Sequence, residues 1–285
     1  MRRSLLFIPG NNPSMLQNSD VFGADAIIID LEDAVNVSEK DSARNLVKSF
    51  LQTKKGFNNE VIVRINGLDT SYYMDDLESI VSDKIDAIML PKAHVADIRK
   101  LSDILTELEG NNHLTKTIKI VPIVELAASL IEVDEIAKEP RVDGILLGAE
   151  DFTSDMEVTR TKEGDEITFA RNKISVACMA NRIDPIDTPF TDTKDDSGLE
   201  KDCLNAIKYG MKAKSAIHPN QIVTINKVFS PTLAQIEWAK KILKAKEDAD
   251  ARGLGAFSVD GKMVDKPVIE RANKILKKAT LYKLI

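Results

Sequence analysis

The chain has 285 residues, enough to bury a sizeable core as one large domain or two smaller ones. Hydrophobic residues make up 43% and charged residues 29%, which excludes a disordered chain, and no apolar run approaches membrane-spanning length. Acids outnumber bases 45 to 39, for a net charge of -6, which argues against nucleic acid or an anionic membrane as partner while leaving room for a local basic site.

The first apolar run, SLLFI (4–8), stops at Pro9-Gly10. With MRR before it the start imitates a signal peptide, but the run is too short for the apolar region of one, so a cytoplasmic protein is expected. Cys178 and Cys203 agree with that location: they lack metal-ligand spacing and disulfide density and read as reduced, structural thiols.

Seven further short runs follow: AIIID (26–30), VIVRI (61–65), AIML (87–90), IKIVPIV (118–124), GILLG (144–148), IDPI (183–186) and SAI (215–217). They are Ile- and Val-rich without strict alternation, as expected of strands buried on both faces. Pro185 makes IDPI the weakest of them. Segments of helical periodicity lie between the runs. SEKDSARNLVKSFLQ (38–52) offers Ser38 as an N-cap, and AHVADIRKLSDILTELEG is expected to stop at Gly110. DDLESIV and ELAASLIEVDEIAKE read the same way. Eight strand–helix units predict an α/β fold, a TIM (β/α)8 barrel over residues 1–230, with an open doubly wound sheet as the alternative. Residues 231–285 read as a C-terminal extension: a helix, LAQIEWAKKILKAKEDADA, then AFSV and KMV flanking the hairpin signal Asp260-Gly261.

In a barrel of this kind the residues just after the strands share the face that carries active sites. That face collects Pro9-Gly10-Asn11, Asp30, Glu32 and Asp33, Arg64 and Asn66, Lys92, Glu125, Glu150 and Asp151, Asp187 and His218. It contains no P-loop, nucleophile elbow or dinucleotide fingerprint. Glu125 interrupts IVPIVELAASL where packing alone asks for an apolar residue, and a carboxylate there is costly unless paired or bound to a cation. Adjacent parallel strands lie about 4.8 Å apart, so Glu125 and Asp151 are placed to share one ion. Oxygen-only ligation favours Mg²⁺ or Mn²⁺ over zinc. The bland alternative is that Glu125 caps the next helix or pairs with Arg64. Arg64 is in turn either a clamp for a substrate carboxylate or ketone oxygen, or an ion-pair partner of Asp30 or Glu32. Glu32 and Asp33 read as supporting groups or helix-start acids, Glu150 as a shaper of the site, and His94, His113 and His218 as surface or turn residues. Regions 153–168 and 190–202 read as loops beside the mouth.

The motifs RRSLLFIPGNNPSML, DAIIIDLEDAV, VRING, MLPKA, VELAASL, LLGAEDF and KSAIHPNQI occur in an order that resembles the citrate lyase beta chain and malyl-CoA lyase family, from residue 2 to about 270. The resemblance implies a TIM barrel that cleaves a carbon–carbon bond in a β-hydroxyacyl thioester, with the citrate lyase branch the better match. On that branch a citryl thioester, on coenzyme A or an acyl carrier protein, would yield oxaloacetate and an acetyl thioester. Malyl-CoA or a related β-hydroxyacyl-CoA is the alternative substrate, and an assembly or carrier-binding subunit without catalysis the alternative role.

Carried over by motif, Glu125 and Asp151 would hold Mg²⁺, Arg64 would bind the oxaloacetate portion, and Glu125 would lie close to the substrate. In GKMVDKP, Asp265 would be an acid/base on a C-terminal lid, supplied within the chain or across a subunit interface, with Gly253 and Gly255 as its hinges. Lys92 and the turn Pro9–Asn11 are the candidates for contacts with the thioester carrier. Homo-oligomers and further citrate lyase subunits are the expected partners.

Overall fold

The computed structural model describes residues 1–54, 56–251, 253 and 257–285. Two compact units divide the chain, Met1–Asn226 and Lys227–Ile285. In the first, β1 (Ser4–Pro9), β2 (Ala26–Asp30), β3 (Glu60–Arg64), β4 (Ala87–Leu90), β5 (Lys119–Val124), β6 (Gly144–Leu147), β7 (Asp184–Asp187) and β8 (Ala213–Ala216) form a closed, all-parallel barrel in sequence order, β1 pairing with β8. The closure excludes the open doubly wound sheet. Among the described residues no helix is long and apolar enough to cross a membrane.

Helices α1 (Pro13–Gln17), α2 (Lys40–Thr53), α3 (Tyr73–Ile80), α4 (Val95–Asn111), α5 (Ala127–Ile131), α6 (Val133–Ile136), α7 (Ala149–Asp155), α8 (Thr168–Asn181), α9 (Asp196–Lys208) and α10 (Gln221–Phe229) follow the strands. In α4 the buried residues Ile98, Leu101 and Leu105 recur at helical spacing on one face. Two helix ends differ from expectation. Gly110 lies inside α4, and the left-handed residue beyond it is His113 (φ 53°). Upstream of α2 the cap is Asn36, whose side chain accepts from the Ser38 N–H at the head of a 3-10 turn, so Ser38 is not the N-cap. The segment 125–139 breaks into two short helices at Glu132. Of the two expected loop regions, α7 takes the start of one and α9 the end of the other.

Strand side chains alternate between the two faces of the barrel wall. One set points inward and packs as the barrel core: Leu5 and Phe7, Ala26 and Ile28, Ile62, Ala87 and Met89, Val121 and Ile123, Leu146, Ile186 and Ala213. Burying each large aliphatic side chain contributes about 1.5–3 kcal/mol. The intervening residues face the helices. Pro185 sits as the second residue of β7, paired with Ile145, and its strand holds despite the missing N–H.

The second unit comprises α11 (Leu233–Ala251), the antiparallel hairpin β9 (Phe257–Val259) and β10 (Lys262–Val264), and α12 (Lys266–Leu281). Asp260 and Gly261 both take positive φ (52° and 73°) at the turn, as a two-residue hairpin requires. Its core joins Ala239, Ile242, Val264 and Ala272.

Candidate active site

The period-2 alternation decides which strand-end groups meet. Asp30 follows Ile28 by two residues, Arg64 follows Ile62, Glu125 follows Ile123, Gly148 follows Leu146 and Thr188 follows Ile186, so each continues the inward-facing row past the core. A cavity of about 130 Å³ opens there, lined by Phe7, Arg64, Glu125, Gly148, Asp151 and Thr188 among others. Arg64, Glu125 and Asp151 are thereby brought to one place. Glu150 also lines it.

Arg64 is held on both sides. Its Nε donates to Asp30 Oδ1 (2.8 Å) and its Nη2 to Asp30 Oδ2 (2.6 Å), the two-pronged arrangement that suits a guanidinium and a carboxylate. Nη1 lies 2.8 Å from Glu32 Oε2, and the guanidinium rests 5.1 Å from the centre of the Phe7 ring. Burial opposes the charge, but the hydrogen bonds and attraction of Asp30, with Glu32 and Asp33 behind them, more than offset it and hold Arg64 firmly protonated. The ion-pair reading of Arg64 is therefore met, and the same bonds fix its direction toward the cavity.

Glu125 is only 3% exposed. Burial pushes its carboxyl up to about 8, the Lys92 N–H acts the other way, and the charges of Asp151 and Glu32 raise it again. Glu32 is likewise pushed up to about 7, mainly by burial against the pull of Arg64. Lys92 contributes through its backbone: its N–H donates to Glu125 Oε1 at 2.6 Å, and its left-handed conformation (φ 47°) is uncommon for a residue with a side chain. Its side chain is exposed.

Asp151 and Glu150 occupy the first turn of α7, which starts at Ala149 directly after Gly148. The Ala149 N–H donates to Thr188 Oγ1 (3.2 Å), tying the head of this helix to the end of β7. Gly148 is close-packed: a Cβ there would lie 2.6 Å from Glu125 Oε2. Glu150 lies at the rim of the cavity, exposed, with Oε1 3.6 Å from Arg160 Nε.

These residues fit a hard divalent cation. Besides Glu150 at the rim, two carboxylates face one small cavity, one of them raised chiefly by its burial and further by the charge of the other, and every donor is oxygen. Among the described residues no three His, Cys, Asp or Glu side chains form a closed metal cage. Two protein oxygens with room for water and substrate suit Mg²⁺, which parts reluctantly with its water.

Asp187 does not belong to this mouth. It follows the inward Ile186 by one residue and so faces the helices. There it is fully buried between Arg171 (Nε to Oδ1 2.8 Å, Nη2 to Oδ2 2.9 Å) and Lys214 (2.6 Å), and Asp202 completes the network through Arg171 (2.7 Å) and Lys214 (2.6 Å). Lys214 also donates to the carbonyl of Thr188 (2.7 Å). His218 is exposed, with Nδ1 2.7 Å from Asn220 Oδ1, a turn contact. Asp265 belongs to the second unit, where it is the N-cap of α12 and accepts from the Val268 N–H at 3.2 Å. Of the two expected hinge glycines, Gly253 has φ 68°, and Gly255 lies outside the described residues. Cys178 and Cys203 are buried and unbonded to each other.

Thr188, Gly148 and the buried Arg171–Asp187–Lys214–Asp202 network were not singled out by motif. Counting in twos from Ile186 and Leu146 identifies the first two. The network has no local signal, since its members come from four separate elements.

Comparison with known proteins places the chain in a family. The chain is 40% identical to the citrate lyase subunit beta of Leuconostoc mesenteroides subsp. cremoris, over 100% of this chain and 95% of that one. It is 34% identical to the L-malyl-CoA/beta-methylmalyl-CoA lyase of Rhodobacter capsulatus, over 100% and 96%. The crystal structure of the protein CitE from Mycobacterium tuberculosis in complex with magnesium, acetoacetate and coenzyme A superposes with a TM-score of 0.78 at 28% identity, covering 97% of each chain. The HpcH/HpaI aldolase/citrate lyase family model matches residues 3–219, the whole of the barrel that carries Arg64, Glu125 and Asp151. On these grounds the chain belongs to the HpcH/HpaI aldolase/citrate lyase family.

Proposed function

We propose that the protein is a Mg²⁺-dependent carbon–carbon lyase that cleaves a citryl thioester to oxaloacetate and an acetyl thioester. The observation that carries this reading is the buried Glu125 carboxylate, next to Asp151 and opening onto the same cavity as Arg64. The similarity of the whole chain to citrate lyase beta subunits, and the magnesium bound by the CitE structure, support it.

Cleavage requires loss of the alcohol proton, breakage of the carbon–carbon bond with its electron pair passing to the thioester as an enolate, and protonation of the enolate carbon. Mg²⁺ held by Glu125 and Asp151 would supply Lewis acidity to the alcohol and to the emerging ketone oxygen. Arg64, kept charged and aimed by Asp30 and Glu32, would bind the oxaloacetate portion and stabilise the charge that develops on it. Glu125 lies beside the reacting atoms in this scheme. Asp265 would accept the alcohol proton and return it to the enolate carbon, which balances the reaction without an outside acid. Its capping bond to Val268 holds it at the start of α12.

The thioester is carried on coenzyme A or an acyl carrier protein, with Lys92 and the Pro9–Asn11 turn as candidate contacts to the carrier. The partners proposed are further citrate lyase subunits and other copies of this chain, and the compartment is the cytoplasm, where the buried thiols of Cys178 and Cys203 stay reduced.

The test follows oxaloacetate release from citryl-CoA and from acyl-carrier-bound citrate, with malyl-CoA as competitor, in Mg²⁺, in EDTA and with Glu125→Ala. Release should require Mg²⁺ and fall in the variant by at least the roughly 100-fold that loss of an outer partner of a metal ligand can cost. Turnover indifferent to chelator and substitution would sink the metal assignment, and preferential cleavage of malyl-CoA would reverse the choice of substrate.

A further inference from the structure

Beside the cavity that holds Glu125 and Asp151 lies a second one of about 160 Å³, lined by Glu150, Arg160, Thr161, Lys162, Phe190 and Asp192 among others. Glu150 lines both, and the segment after β7 continues from one to the other, with Thr188 and Pro189 on the first and Phe190 and Asp192 on the second. The two spaces are neighbours across a single exposed carboxylate.

Two cations line the second space. Lys162 is engaged by Asp192 (2.7 Å) and Asp195 (3.1 Å). Arg160, whose side chain is 16% exposed, is anchored tightly on one side, where Nη1 donates to Glu166 Oε1 (2.6 Å) and to the carbonyl of Thr161, and loosely on the other, where Nε forms an ion pair with Glu150. Its Nε is buried and has no hydrogen-bond partner, with Glu150 Oε1 3.6 Å away. A buried guanidinium N–H without a hydrogen bond, ion-paired only at a distance to an exposed carboxylate, is a position that a better-placed carboxylate beside the cavity can take over.

Charge gives that position a use. The first cavity is lined by three carboxylates, Glu125, Glu150 and Asp151, and by one guanidinium, Arg64, which is already committed to Asp30 and Glu32. A divalent cation answers Glu125 and Asp151 but leaves little positive charge for an incoming dianion. Citryl and malyl thioesters differ at one place: citryl carries a carboxymethyl arm where malyl carries hydrogen. That extra carboxylate needs its own cation.

Resting on the citryl-lyase reading above, we infer that the cavity at Arg160 is the subsite for the carboxymethyl arm of the citryl group, and that Arg160 sets the preference for citryl over malyl thioesters. Glu150 is the exposed side chain that moves aside, and the arm's carboxylate then accepts from Arg160 Nε.

The test pairs turnover with binding. Values of kcat/KM for citryl-CoA and malyl-CoA are compared in wild type, Arg160→Gln, Arg160→Lys and Glu166→Gln, and affinities for oxaloacetate and glyoxylate, the two keto products, are measured by calorimetry in Mg²⁺. Arg160→Gln is expected to lower both the citryl-over-malyl and the oxaloacetate-over-glyoxylate ratios by about tenfold or more, with part of each restored in Arg160→Lys. Glu166→Gln, which loosens the anchor but keeps the guanidinium, should move the ratios by less than about twofold. Equal losses for both substrates and both products, or ratios that Glu166→Gln shifts as far, would reduce Arg160 to a loop anchor and overturn the inference. Wild type that cleaves citryl-CoA with ratios unaltered by Arg160→Gln overturns the subsite alone. Wild type that cleaves neither thioester but prefers oxaloacetate through Arg160 keeps the subsite and overturns the lyase.

Discussion

Gly148 lies against Glu125 so closely that a Cβ on it would come within 2.6 Å of Oε2 and 2.7 Å of Glu125 Cβ. Only a residue without a side chain lets the end of β6 pass the buried carboxylate, and Asp151 follows three residues later on the same run. Gly148→Ala should therefore displace Glu125, with Ile123 Cγ2 at 2.8 Å closing the other side. The overpacking is expected to cost about 1–3 kcal/mol in urea unfolding. Mg²⁺ affinity, read by calorimetry, should fall with it, and unchanged affinity would show that the contact has no bearing on the metal.

Burial of Glu125 and Glu32 gives the metal-free protein a definite pH dependence. Both carboxyls are raised in the folded state, to about 8 and about 7, above their ordinary values. The folded chain thus binds more protons than the unfolded one between the ordinary carboxylate range and pH 8, and stability falls as pH rises through that window. In EDTA the melting temperature should drop from pH 5 to pH 8, and Glu125→Gln should flatten part of the slope. A melting temperature that climbs over this range would contradict the burial of these groups as charged or neutral partners.

The side chains of the Arg171–Asp187–Lys214–Asp202 network are buried from solvent, so removing one member strands the others. Lys214→Met leaves Asp187 and Asp202 with Arg171 alone and should cost about 3–5 kcal/mol in urea unfolding. A loss below about 1 kcal/mol would mean that the network is balanced by its own desolvation.

Thr188 joins that network to the site, since its carbonyl accepts from Lys214 and its hydroxyl accepts from the Ala149 N–H. Thr188→Val keeps the shape and removes the acceptor, leaving a buried N–H unpaired at a cost of about 1–3 kcal/mol. Mg²⁺ affinity should weaken in Thr188→Val and recover in Thr188→Ser. Equal effects of the two substitutions would assign Thr188 to packing.

Asp265 has two roles that substitutions can separate. Asp265→Ala loses the cap on α12, worth about 1 kcal/mol, whereas Asp265→Ser keeps a capping oxygen. If Asp265 moves the proton, citryl-CoA turnover should collapse in both variants while only the alanine variant loses stability. Full turnover in Asp265→Ser would confine the residue to capping.

Much of this architecture was legible in the chain. The eight Ile- and Val-rich runs coincide with the eight strands to within a residue or two at most ends, because strands buried on both faces carry a continuous apolar signal. Arg64, Glu125 and Asp151 were visible as polar intrusions at the ends of such runs. Asp187 was misplaced because a list of strand-end residues ignores the alternation of faces: one step from Ile186 points to the helices, two steps to the cavity. Thr188 was overlooked for the same reason. The backbone role of Lys92, the loosely held edge of Arg160 and the four-member network depend on which distant elements meet, and no local pattern records that.

The most direct test of the central claim, that Glu125 and Asp151 together seat a magnesium ion, is a Mg²⁺ titration of wild type, Glu125→Gln and Asp151→Asn by calorimetry at fixed pH. One Mg²⁺ per chain should bind the wild type, and each substitution should weaken it by about 100-fold or more. Equal affinity in all three proteins would place the metal elsewhere and leave the buried carboxylate without its partner.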